Sequence, residues 1–292
     1  RPPRSTLFPY TTLFRSCFDF IHGDIREARD IDTALSGVDA IVHLAAIVGD
    51  PACRRRPELA TAVNKEAAEL LLQKAMSAGI GRFVFASTCS NYGKMGDTVM
   101  CDERSPLRPI SLYAELKVGF ERTLLAESSK RMTAVCLRFA TAYGLSARPR
   151  FDLTVNEFTR DLYLRKPLEV FGETFWRPYC HTTDLALACY LALTAPAETV
   201  RGQAFNVGHT DENYRKKDLV DLILRELPDR AELVTYVRRE EDPRDYRVNC
   251  DRIRDTVGFV PRRKVGDGIR EIVAALEQRI ITNPEHPGYQ NG

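Results

Sequence analysis

The sequence predicts an α/β fold built on a parallel sheet covered on both faces. Three stretches of nearly continuous apolar character recur in the first half: Val38-Asp-Ala-Ile-Val-His-Leu44, Arg82-Phe-Val-Phe-Ala86 and Thr133-Ala-Val-Cys-Leu-Arg138. Between them lie segments of helical length and amphipathic spacing, above all residues 58–78, which stop at Gly79. Strands that are apolar throughout belong to sheets buried on both sides, and regular strand–helix alternation makes such a sheet parallel.

Taken in order, Phe18-Asp-Phe-Ile21 alternates and runs into His22-Gly-Asp24, the pattern of a short strand and its turn. A short helix is expected over 31–35. The strand at 38–44 runs into the small residues Ala45 and Ala46. Pro106 and Pro109 precede a helix that carries Tyr113 and Lys117 and is expected to reach about Lys130. Beyond residue 145 the elements shorten. Helices are expected over 153–164, 183–193, 216–227 and 265–279, with strands over 168–171 and 204–207. No linker divides the halves, so the reading is a sheet domain (17–145) with a smaller lobe (146–292) packed on it. The tail from Asn283, rich in Pro, His, Gly and Asn, is expected to fray. Ligands of parallel sheets bind beyond the C-terminal strand ends. Here those ends hold Asp24, His43 to Ala46, and Ser87 to Gly93.

With 44% hydrophobic and 28% charged residues, the 292-residue chain has globular composition and length for a large core. No apolar run reaches membrane-spanning length, and the first residues do not read as a signal peptide. Eight scattered cysteines without a Cys-x-x-Cys pair suggest reduced thiols in a cytoplasmic protein, with neither disulfides nor a metal site. The formal charge of +2 is too small to argue for nucleic acid. Residues 1–16 hold three arginines and no acid, and contain the near-repeat Thr-Leu-Phe-Pro and Thr-Leu-Phe-Arg. They look like translated adapter sequence and are set aside from fold reasoning; a natural disordered N-terminus is the alternative.

Tyr113 and Lys117 stand one helical turn apart, on one face. A tyrosine with a pKa near 10 must lose roughly three units, about 4 kcal/mol, to act as a base at neutral pH. An ammonium about 4 Å away at an effective dielectric near 20 supplies energy of that order. Tyr-x-x-x-Lys is therefore a plausible phenolate generator, although any amphipathic helix can carry the spacing.

Motif order strengthens that reading. Gly23-Asp24-Ile25-Arg26, His43-Leu44-Ala45-Ala46, Asn64 with Ala67, Ser87-Thr88-Cys-Ser-Asn-Tyr-Gly93, the Tyr113/Lys117 pair, Arg177-Pro-Tyr-Cys-His-Thr-Thr-Asp184, Phe205-Asn-Val-Gly208 and Arg238-Arg239-Glu-Glu-Asp242 follow one another. In this order they resemble the extended short-chain dehydrogenase/reductase family, and within it the nucleotide-sugar epimerase/dehydratase branch, over residues 17 to about 280. The resemblance implies a Rossmann-type doubly wound sheet and an NAD cofactor, with NADP open. It implies cofactor contacts at Asp24, Ile25, Leu44, Ala45, Ala46, Asn64, Thr88, Tyr113 and Lys117, with Thr88, Tyr113 and Lys117 catalytic. It places the nucleotide-sugar against Thr141, Arg177, Arg239 and Asp242, and a homodimer on the helices of residues 58–78 and 112–130. The bland readings are a turn residue at Asp24, a helix cap at Asn64 and a surface ion pair at Arg177.

Departures from the family pattern narrow the expectation. The Gly-x-x-Gly-x-x-Gly loop that would bring the backbone to a pyrophosphate is absent, so the sheet is expected to lack its first β-α-β unit and the chain to bind a dinucleotide poorly. Dehydratases of the branch carry Asp-Glu after the catalytic Ser/Thr; here stand Cys89 and Ser90. Thr141 stands where many members have Asn. The expected activity is a 4-epimerase-like reaction through a transient 4-keto sugar. The alternatives are a dehydratase or reductase of the same family, or a non-catalytic dinucleotide-binding protein if the N-terminus is genuine.

Overall fold

Four parallel strands form the centre: Ala40–His43 (β1), Arg82–Thr88 (β2), Thr133–Phe139 (β3) and Gln203–Val207 (β4), hydrogen-bonded in that order. This computed structural model describes residues 18–95, 100–237 and 245–291. Ala40 lies opposite Arg82, Arg82 opposite Thr133, and Val135 opposite Gln203, so the C-terminal ends of β2 and β3 finish level. The helices preceding and covering the site are Ala28–Leu35 (α1), Asp50–Arg55 (α2), Ala67–Ser77 (α3), Leu112–Ala126 (α4) and Thr182–Thr194 (α5).

Side chains alternate across the sheet even where every residue is apolar. Phe83, Phe85, Ala134 and Cys136 pack on one face against Ile31, Leu71, Leu72, Phe120 and Leu124 from α1, α3 and α4. Val84, Val135 and Leu137 pack on the other against Leu185, Ala188 and Ala192 of α5. The strands thus need apolar residues at every position, which is why they read as continuous runs.

Beyond β3 the chain builds the smaller lobe. Thr141–Tyr143 runs parallel to Trp176–His181, which pairs antiparallel with Asn213–Arg215. Leu168–Phe171 pairs with Val234–Val237. The helices Thr154–Tyr163, Lys216–Glu226 and Val265–Glu277 close around Tyr143, Phe158, Val170, Leu219 and Ile269. The chain re-enters the central sheet at β4, and Met100–Cys101 pairs with Arg247–Val248, so strand pairing ties the two halves at two places. Among the described residues no helix is long and apolar enough to cross a membrane.

Four expectations are corrected. Residues 18–21 form no strand: Phe18 and Phe20 are 69% and 78% exposed, because no described strand offers them a ladder or a face to bury. The helix over 58–78 is interrupted: Pro57–Thr61 passes through a π-helical turn, Ala62–Glu66, before α3 begins. The helix bearing Tyr113 stops at Ala126 rather than near Lys130. The tail does not fray. Tyr289 accepts a backbone hydrogen bond from Phe151 (2.9 Å), and its ring packs edge-on to the Phe151 ring at 5.8 Å.

Behind the strand ends lies a buried polar network. Arg138 of β3 donates to Glu121 of α4 through Nη2 (2.5 Å) and Nε (3.0 Å), with both side chains nearly inaccessible. Glu121 also accepts from Ser87 Oγ (2.6 Å), and Arg138 donates to the Tyr92 hydroxyl (3.0 Å), which donates to Asn206 (2.7 Å). Removing one partner of a buried ion pair strands the other charge. Glu121→Gln is therefore expected to lower unfolding free energy by about 3 kcal/mol. The paired Glu121→Leu/Arg138→Met variant should lose less than the two single changes combined. Urea unfolding of the four proteins tests this, and simple additivity would refute it.

Candidate active site

Two elements bring the central residues together. Thr88 ends β2, and Tyr113 and Lys117 occupy the first two turns of α4. Ser111 caps that helix, accepting from Ala114 N (3.3 Å) and donating to Asp50 Oδ1 (2.7 Å). Thr88 Oγ1 accepts from Ser90 N (3.1 Å), and the Thr88 hydroxyl lies on the same cavity wall as the Tyr113 phenol. Lys117 donates to the Ala86 carbonyl (2.8 Å), and its ammonium sits 4.6 Å from the Phe85 ring centroid and 6.0 Å from that of Tyr113. Gly93, where the following loop turns back, has φ +71°, and a Cβ there would lie 2.1 Å from the Arg108 carbonyl oxygen.

A cavity of about 330 Å³ opens onto this group, lined by Leu44, Thr88, Tyr113, Lys117, Thr141 and Tyr246 among others. A second, of about 420 Å³, shares Asp50, Thr141 and Arg150 with it and extends to Arg55, Arg177 and Lys216. The two form one elongated cleft at the seam of the lobes, with hydroxyls and a lysine at one end and, at the other, Arg55, Arg177, Lys216 and an Arg150–Asp152 ion pair, with Asp50 between.

The remaining expected site residues separate into groups. Leu44 lines the first cavity and is 57% exposed, an apolar strand-end residue left open. Ala45 and Ala46 follow it without a lining role. Asn64 is buried in the π turn, accepting from Ile47 N (2.7 Å) and donating to Ile47 O (2.9 Å), so it shapes the loop after β1. A π-helical turn at such a place is a common device of functional sites. Asp24 is held by Arg26, whose backbone N donates to it at 2.9 Å and whose guanidinium pairs with it at 2.5 Å; Ile25 packs against the core. Neither lines the cleft. Arg177 lines the second cavity and lies 5.5 Å from the Tyr246 ring. Arg239 and Asp242 lie outside the described residues. His181 caps α5 through Thr183 N, while Asp184 accepts from Arg262 N and Arg263 N at 3.0 Å each. Asp50 and Arg150 also line the cleft, without a local sequence signal. Neither stands in a family motif, and only the fold brings them to the cleft.

Burial dominates the electrostatics. It pushes the Tyr113 phenol well above its usual value, with the Cys53 thiol adding to the rise and the Thr88 hydroxyl opposing it. Burial likewise depresses Lys117 to about 8 and His43 to about 3. Burial is the largest influence on Tyr113 here, and Lys117 gives one ammonium proton to the Ala86 carbonyl.

The sequence model of the NAD dependent epimerase/dehydratase family matches residues 3–208. The chain belongs to that family. It is 30% identical over 267 residues to a UDP-glucose 4-epimerase of Rhizobium leguminosarum bv. trifolii, covering 85% of this chain and 81% of that protein. It is 28% identical to a dTDP-glucose 4,6-dehydratase of Streptomyces niveus, over 88% of this chain and 75% of the relative. Among solved structures, the dTDP-glucose 4,6-dehydratase of Streptomyces venezuelae with NAD and TYD bound superposes with a TM-score of 0.79 at 28% identity, covering 89% and 80% of the two chains. The parallel sheet agrees with this Rossmann-like architecture.

An NAD-dependent family implies a dinucleotide, and the cleft fits its reactive end. Open apolar Leu44, the Thr88 and Tyr113 hydroxyls and Lys117, which has ammonium protons beyond the one given to Ala86, together suit a nicotinamide riboside.

Keeping Lys117 buried for this role has a stability cost. Below about pH 8 the lysine is charged in both folded and unfolded chains, and the folded chain bears the full burial penalty. Between about 8 and 10.5 the folded lysine sheds its proton while the unfolded one keeps it, so stability gains with rising pH. Lys117→Met is expected to stabilise the protein at pH 7 by roughly 2 kcal/mol. The advantage should shrink across that window in unfolding measurements, and a pH-independent difference would contradict it.

Proposed function

We propose that the chain is an NAD-dependent nucleotide-sugar epimerase that inverts a sugar hydroxyl, most simply at C4, through a transient ketone. The observation carrying this reading is the chemistry immediately after Thr88. The Cys89 thiol is fully buried and donates to the Arg138 carbonyl (3.1 Å), and burial holds its pKa far above neutral. Ser90 lines the cavity but has no useful acid–base chemistry at neutral pH. Asp50 is the one carboxylate among the described residues lining that cavity, and it accepts from Ser111. Oxidation and re-reduction of a carbinol need one proton acceptor, which Tyr113 provides. Elimination of water needs a further acid and base.

In this reading Tyr113 takes the proton of the reacting hydroxyl and later returns it, while Thr88 hydrogen-bonds the same oxygen. Lys117 holds the cofactor ribose and supplies positive charge as the phenolate develops. NAD, held at Leu44, Thr88, Tyr113 and Lys117, would supply the reversible hydride acceptor for the sugar carbon. Arg177 neutralises the diphosphate in the second cavity, where Arg55 and Lys216 add positive charge and Arg150 is paired with Asp152. Thr141, lining both cavities, marks the junction between sugar and diphosphate. Arg239 and Asp242 are proposed to complete the nucleotide contacts. Pairing of two copies through α4 and the helical run of residues 57–77 is part of the proposal, as is a cytoplasmic location.

Product analysis with UDP-glucose and dTDP-glucose in the presence of NAD tests the reading. An isomer of unchanged mass, with no net NADH, is expected. A product lighter by one water would identify a dehydratase; in a parallel reaction supplied with NADH, its net consumption would identify a reductase. If the chain binds a dinucleotide yet turns over neither sugar, the non-catalytic reading takes over. Tyr113→Phe is expected to lower turnover by roughly 10³-fold while leaving dinucleotide binding intact; activity within a few-fold of wild type would remove Tyr113 from the mechanism.

A further inference from the structure

The second cavity has a wall that no motif foreshadows. Gln290 and Asn291 line it alongside Arg177 and Lys216, although they follow the last helix of the fold. They belong to a short segment that begins at the turn Pro287–Tyr289, where His286 Nδ1 accepts from Gly288 N (3.0 Å).

This segment is fastened to both lobes. From the smaller lobe, Arg148 donates to the carbonyls of Gly288 and Gln290 (2.9 Å for the latter) and to Asn291 Oδ1 (3.1 Å). Asp152 accepts from Asn291 N (3.2 Å), and Phe151, itself fully buried beside Ile272 and Leu276, grips Tyr289. From the sheet domain, Arg55 of α2 donates to Asn291 O (2.9 Å), and the Val48 carbonyl accepts from Asn291 Nδ2 (3.3 Å). The Gln290 side chain lies exposed at the cavity and is unengaged among the described residues.

We propose that residues 287–291 are a clasp closing the nucleotide-sugar cleft across the seam. Gln290 is its ligand-binding side chain, and Arg148 is the residue that positions it. The proposal rests on the functional reading above. Val48, Arg55 and Arg148 stand on opposite sides of the cleft, so a strand of chain bonded to all three resists opening of the lobes. A neutral carboxamide suits this place because it can donate to a phosphate or sugar oxygen and accept from a hydroxyl. An anion there would oppose a diphosphate.

Calorimetric titration of the full chain with UDP and with dTDP tests the clasp without requiring turnover. Arg148→Ala, which removes three clasp bonds, is expected to weaken nucleoside diphosphate binding about tenfold. Gln290→Ala should weaken it a few-fold, and Gln290→Glu should weaken it further, with the extra loss reduced at high salt. Hydrogen exchange at the amides of residues 289–291 should slow when the wild-type protein binds nucleotide. The exposed Gln290 side chain makes no hydrogen bond among the described residues, so its variants keep the test valid even if Arg148→Ala folds poorly. Wild-type affinity in both Gln290 variants would overturn the clasp and leave the functional reading standing. A wild-type chain that binds neither nucleotide would overturn the functional reading and this proposal with it.

Discussion

The Glu121–Arg138 ion pair is the interaction on which the geometry of the site depends. Tyr113, Lys117 and Glu121 follow one another at intervals of four along one face of α4. The first two carry the proposed chemistry; the third anchors the helix to the sheet. Through its two oxygens Glu121 reaches both Arg138 on β3 and Ser87, the neighbour of Thr88 on β2. Thr88 and Tyr113 come from different elements, so they meet in one cavity only if helix and strand are held in a definite longitudinal register. Apolar packing alone tolerates sliding by fractions of a turn. A buried charge pair with further hydrogen bonds does not, because a displaced partner would be left uncompensated. The same network continues through Tyr92 and Asn206 into β4, joining the catalytic strand end to the segment where the chain returns from the smaller lobe.

Burial then sets the chemical state of the site. It opposes ionisation of Tyr113 and protonation of Lys117 alike, so the pair rests as a neutral phenol beside a weakly held ammonium. A base of this kind is silent until ligands change its surroundings.

Much of the fold was legible in the sequence because the sheet is buried on both faces. Strands β2 and β3 and the helix carrying Tyr113 reveal themselves by apolar runs and by the prolines and serine that precede them. What escaped had physical reasons. Phe18 to Ile21 alternates like a strand, yet pairing depends on a neighbour that local pattern cannot supply. The π turn at Ala62–Glu66 escaped because it keeps helical apolar spacing while shifting the register that buries Asn64. The strand Trp176–His181 was hidden by Pro178 and by polar residues whose partners lie far along the chain. In the site, Thr88, Tyr113 and Lys117 were readable as local motifs that converge on one cavity. Asp24 and Asn64 were read as cofactor contacts, and the structure gives them turn and loop roles beside that expectation. Glu121, Arg150 and the terminal segment went unread because their roles arise only from long-range contacts.

The cleft is therefore a product of the seam rather than of either lobe. The end proposed to react is built on the sheet domain, where β2 and α4 bring Thr88, Tyr113 and Lys117 to one cavity. The cationic end is shared: Arg55 comes from the sheet domain, and Arg177, Lys216 and the Arg150–Asp152 pair from the smaller lobe. A ligand carrying a sugar at one end and a diphosphate at the other matches this division, because each half of it satisfies one lobe. Binding energy gained at the diphosphate can then hold the sugar carbon against Tyr113, which is how contacts remote from the reacting bond contribute to rate. The buried Cys89 and the weakly polar Ser90 complete the distinction. In the proposed reading, the one carboxylate lining the cavity, Asp50, is engaged by Ser111, which suits reversible oxidation better than loss of water.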